Sequence, residues 1–162
     1  MIYGGILEFI TMFRDEQFHD RWRMIMIHFS SILGGAFGVG WQTRFTGHKA
    51  IVIGASGGTY GMLASLIGSL FLNWNELSFI RRFMYLTTLL SACLTDIIVN
   101  IIYPGSNVSY SAHVGGFIYG TMSAVIFIKN SVVYKYEKIV RNIMWCLFVS
   151  ISITSVVIMV TL

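Results

Sequence analysis

Five apolar runs follow one another along the chain with only short charged intervals between them, at residues 24–41, 50–73, 83–103, 112–128 and 143–162. A bilayer core needs about 20 residues of helix. Inside it every backbone polar group must be satisfied by the chain itself, so only helices and closed barrels cross. Runs of this length predict helices. The charge content agrees: 56% of the 162 residues are hydrophobic and 11% charged, where a globular domain carries about a quarter charged residues. The expected fold is all-α, a polytopic membrane helix bundle with five full spans. Residues 1–13 are too short to span and carry Glu8; they read as the tail of one further helix.

The cations assign an orientation. Intervals 14–23, 74–82 and 129–142 hold Arg14, Arg21, Arg23, Arg81, Arg82, Lys129, Lys135, Lys138 and Arg141, whereas 42–49 and 104–111 hold only Arg44 and Lys49. Nine against two places the first set in the cytosol. The net charge of +4 is thus spent on topology. No basic patch interleaved with aromatics is present, and no nucleic-acid partner is expected. No signal peptide is expected either, since the first residues lack a charged leader and a cleavage site. Cys93 and Cys146 lie in separate apolar runs and read as small apolar residues, neither a disulfide nor a metal pair.

Small residues recur at spacing four in two of the runs: Gly57, Gly61, Ser65 and Ser69 in one, Ala112, Gly116, Gly120 and Ala124 in the other. Such a stripe lies along one helix face and lets backbones approach closely in lipid. Two matching stripes predict that these helices pack on each other. Each stripe has one reactive neighbour, Ser56 beside Gly57 and His113 beside Ala112. In the assigned orientation both lie near the outer surface, at similar depth. A serine needs a base within hydrogen-bond reach, and a neutral imidazole is the usual one. The pair forms a candidate dyad without a carboxylate. Tyr60, one turn below Ser56, is placed to stack on the imidazole. The backbone N–H groups of Ser56 and Gly57, at a helix start, are candidate oxyanion donors.

The remaining polar residues take lesser roles. Asp96 is expected to make a structural hydrogen bond to a neighbouring helix. His28 is expected to be an interior packing residue far in depth from Ser56. The sequon at Asn107 lies on the outer side. A serine in a membrane helix commonly does no more than bond to a carbonyl one turn back, which is the competing reading for Ser56.

With the residues in view, the chain resembles the rhomboid intramembrane serine proteases. Gly54-Ala55-Ser56-Gly57 is similar to that family's G-x-S-G nucleophile motif on the fourth core helix. Ala112-His113-Val114-Gly115-Gly116-Phe117-Ile118-Tyr119-Gly120 is similar to its A-H-x-x-G-x-x-x-G motif on the sixth. Tyr60 matches the tyrosine that family members place under the histidine. The resemblance covers residues 1–130, from the end of the second core helix to the sixth. Residues 131–162 would then be a cytosolic connector and the extra C-terminal transmembrane helix of the eukaryotic secretory-pathway type. The family's H-x-x-x-N motif, which helps form the oxyanion hole, belongs to a part of the fold that precedes Met1. The chain is therefore expected to be N-terminally incomplete.

The resemblance implies a rhomboid-like bundle and an intramembrane serine endopeptidase that cleaves transmembrane segments of single-pass membrane proteins. Ser56 and His113 would be catalytic. Gly54, Gly57 and Tyr60 would support the oxyanion and the base, and Gly61, Ala112, Gly116 and Gly120 would pack the helices. No metal and no cofactor are implied. The partners would be substrate proteins and the lipid bilayer, the location a multi-pass position in the secretory pathway or plasma membrane. An alternative is a catalytically inactive rhomboid-like protein that binds or traffics membrane clients. A third is a small channel or transporter with Ser56, Asp96 and His113 along a polar path.

Overall fold

A computed structural model describes residues 21–47, 56–102, 109–128, 130 and 134–161. They form five helices: α1 Arg21–Thr46, α2 Ser56–Asn73, α3 Phe79–Ile102, α4 Tyr110–Phe127 and α5 Lys135–Thr161. Among the described residues there is no strand, as the all-α reading expects. The helix tail expected at 1–13, the sequon residue Asn107 and the motif residue Gly54 lie outside the described residues.

The helices overrun the apolar runs at their polar ends. α3 begins at Phe79 and α5 at Lys135, so Arg81, Arg82, Lys138 and Arg141 sit on helix rather than in loops. Each start has a local cause. The chain turns after Asn73, whose carbonyl accepts from the N–H groups of Glu76 and Leu77, both at 3.0 Å. At α5, Glu137 in the third helical position reaches back to accept from the Tyr134 N–H at 3.0 Å, half of a capping box.

α1, α3 and α5 are long and apolar enough to cross a membrane. α2 and α4 have 18 residues each, about 27 Å of helix, and are diluted by glycine and serine because they lie inside. α4 is central, packed against α1, α2 and α5. α3 stands at the edge against α2, and none of its membrane-spanning stretch is buried. The main apolar core joins Met24 and Ile27 of α1, Met62, Leu66 and Leu72 of α2 and Ala124 and Val125 of α4. The buried serines follow the bland reading: Ser31 donates to the Ile27 carbonyl and Ser65 to that of Met62, each at 2.6 Å.

The centre is held by backbone meeting backbone. A Cβ on Gly116 would stand 2.7 Å from the Gly57 carbonyl carbon, and one on Gly120 2.7 Å from that of Gly61. α4 also turns a second small face toward α1, where a Cβ on Gly115 would stand 3.2 Å from the Gly38 Cα. Only glycine permits such approach, and the contact it gives is the packing that drives helix association in lipid.

The end read as cytosolic shows what its arginines do besides set topology. Arg23 donates to the Phe127 carbonyl at 2.8 Å, Arg82 to that of Leu77 at 2.8 Å and Arg141 to that of Ile128 at 3.3 Å. Phe127 ends α4 and Ile128 is its C-cap. Cations there satisfy carbonyls that the helix leaves open and meet the negative end of its dipole.

Candidate active site

α1, α2 and α4 come together near one point. A Cβ on Gly57 would lie 3.1 Å from the Ala112 carbonyl oxygen and 3.2 Å from the Gly35 Cα. Ser56 and His113 are the neighbours of the two residues in this contact. Ser56 is the first residue of α2 and His113 stands in the first turn of α4. The N–H groups of a first helical turn have no intrahelical acceptor, and they sit at the positive end of the helix dipole. The start of α2 therefore offers donors to a developing oxyanion next to a hydroxyl and within the same small-residue contact as an imidazole.

The imidazole of His113 is fixed on several sides. Tyr60 stacks on it with ring centroids 4.0 Å apart and planes 11° from parallel. Tyr110, three residues earlier on α4, meets it edge-on at 6.1 Å. Its Nδ1 lies 3.0 Å from Oδ2 of Asp96 on α3. The His113 side chain is 11% exposed and that of Asp96 21%. Beside them a cavity of about 360 Å³ opens between α3 and α4, lined by Ile97, Val114, Phe117 and Ile118 on its apolar walls. With Nδ1 taken, Nε2 is the nitrogen left to exchange a proton.

Two expectations change. The dyad reading had no carboxylate, yet one is hydrogen-bonded to the histidine. Asp96 does bond to a neighbouring helix, and its partner is His113. A signal was present: a carboxylate in a membrane helix calls for a partner, and the sequence reading puts His113 toward the same end of the bundle. The second change is a correction. His28 was expected far from Ser56, but a Cβ on Gly58 would stand 2.6 Å from its Cε1. Counting residues along α1 ignores how far an imidazole reaches and where α2 begins beside it. The glycines of α1 were also missed as packing residues, although Gly34 and Gly38 repeat the same spacing of four. Among the described residues, no group of three or more His, Cys, Asp or Glu is placed to hold a metal.

Comparison with known proteins agrees with the family resemblance. Residues 5–130 match the family model described as Rhomboid domain, a match that ends just before α5. Rhomboid-related protein 1 of Caenorhabditis elegans is 25% identical over 138 residues, 82% of this chain. The chain spans 36% of that relative's length. No solved structure matches.

Proposed function

For a chain that belongs to the rhomboid family, we propose the function of an intramembrane serine endopeptidase acting on transmembrane segments of single-pass membrane proteins. The observation that carries the reading is the Tyr60 stack on His113, made across the glycine contact that sets the start of α2 against the start of α4. Ser56 Oγ attacks the scissile carbonyl as His113 accepts its proton. The N–H groups of Ser56 and Gly57 donate to the oxyanion. His113 then returns the proton to the leaving amine, and water enters from the outer face to release the acyl chain. Such an enzyme resides in a membrane of the secretory pathway or the cell surface.

The test is cleavage of a single-pass model substrate by the full chain and by Ser56→Ala in reconstituted vesicles, with fluorophosphonate labelling in parallel. Loss of the nucleophile should lower the rate by at least about a thousandfold, given what its removal costs in soluble serine proteases. Labelling should vanish with it. Equal cleavage by the two chains would overturn the proposal and leave client binding as the better account of the same fold.

A further inference from the structure

We infer that Asp96 is a positioning residue for His113, selecting the tautomer and the ring orientation that the reaction needs. The inference rests on the protease reading above, and it starts from a degeneracy. Stacking on Tyr60 at 4.0 Å and 11° fixes the plane of the imidazole. It does not distinguish the ring from its image flipped about Cβ–Cγ, which exchanges Nδ1 with a carbon. Nor does it choose which nitrogen carries the proton. A carboxylate 3.0 Å from Nδ1 does both. It accepts from Nδ1–H, so it favours the orientation that puts Nδ1 on the α3 side and leaves Nε2 without a proton, able to accept.

The surroundings strengthen the bond. The cavity wall beside the pair is largely apolar, with Ile97, Val114, Phe117 and Ile118 in it alongside Tyr60, Cys93 and Tyr110. The Tyr60 hydroxyl is a second hydrogen-bond partner of Asp96, and a hydrogen bond in such a place is electrostatically stronger than one in water. The carboxylate gains as well, because an acid within a membrane helix is costly without a partner.

The proton ledger is simple. As the Ser56 Oγ–carbonyl carbon bond forms, the Oγ proton passes to Nε2, and the carbonyl electron pair moves onto oxygen. When the C–N bond breaks, the Nε2 proton goes to the leaving nitrogen. Nδ1–H stays bonded to an ionised Asp96 throughout, and Asp96 never touches the substrate. An asparagine in its place can donate its amide N–H to Nδ1 and so stabilise the Nε2–H tautomer, which cannot accept from serine.

The experiment compares the full chain with Asp96→Asn, Asp96→Glu and Ser56→Ala in detergent micelles. It reads kcat and KM on a fluorogenic transmembrane peptide and the imidazole ¹⁵N shifts at mildly alkaline pH. One His113→Gln sample assigns the His113 signal among the four histidines. Asp96→Asn should lower kcat about a hundredfold, within the usual range for proton-transfer catalysis, and leave KM unchanged. Asp96→Glu should restore most of the loss. The ¹⁵N spectrum of the unaltered chain should show the proton on Nδ1. A kcat kept within a few-fold by Asp96→Asn, while Ser56→Ala is dead, overturns the inference and leaves the protease reading standing. If Ser56→Ala cleaves normally, the protease reading falls, and the spectrum alone decides the pairing: Nδ1–H supports it and Nε2–H overturns it. If Asp96→Asn does not fold, the same spectrum and the kcat of Asp96→Glu decide.

Discussion

α2 packs against three helices, and two of them, α4 and α3, hold it in opposite ways. Against α4 it presents glycine to glycine, Gly57 to Gly116 and Gly61 to Gly120, with the backbones in contact and no side chain between them. Against α3 the contacts are made by side chains. Tyr85 and Leu89 lean on the main core, Asp96 bonds to Tyr60 of α2 and reaches past it to His113 of α4, and a cavity of about 360 Å³ lies beside that second bond. The first interface cannot yield without separating the helices, because packed backbones leave no rotamer to change. The second has soft contacts and room beside them. The contrast bears on the proposed chemistry: Ser56 and His113 ride on the rigid pair, and Asp96, the carboxylate bonded to the histidine, rides on the loosely attached helix.

The contrast can be broken by substitution. The largest effect is expected at Gly120→Leu, whose side chain would have to enter the Gly61 backbone. Overpacking of this kind should cost about 3 kcal/mol, read as a shift of the unfolding midpoint in an SDS titration from mixed micelles. A chain with the wild-type midpoint would mean that α2 and α4 are not in backbone contact. A smaller loss is expected at Arg23→Ala, which removes the 2.8 Å bond to the last carbonyl of α4. Its net worth should be about 1 kcal/mol in the same titration. It tests whether the rigid pair depends on its end as well as its middle. The smallest is expected at Ile98→Ala on α3, where the side chain is 51% exposed and trades protein for lipid contact. The midpoint should move by less than about 0.5 kcal/mol. A loss equal to that of Gly120→Leu would erase the distinction between the two helices.

Much of the rigid pair was legible in the sequence. Spacing four in a helix of 3.6 residues per turn places Gly57 and Gly61, and Ala112, Gly116 and Gly120, on single faces, and these residues are buried. Tyr60 falls one turn after Ser56 by the same count, so its position under the imidazole follows from the register of α2 against α4. The helix ends were less legible. An apolar run stops where charges begin, but a helix stops where its caps are. Hence Lys135 and Phe79 begin helices that hydropathy alone starts later. The α1 glycines, Gly34 and Gly38, carry the same signal at the same spacing of four.

What the sequence determined by itself is whatever runs along a single helix: the helices of the described residues, the apolar lengths that suit a bilayer, the small faces, and the places of Ser56 and His113 near the starts of their helices. Rise and turn per residue are constants, so position along the chain converts directly into height and face. What the tertiary structure decided is lateral. It set Asp96 rather than a solvent-facing group on Nδ1 of His113, brought His28 against Gly58 and left a cavity beside α3. Which side chains meet across a bundle depends on how the helices are arranged around α4 and on side-chain reach, and no periodicity within one helix contains that information.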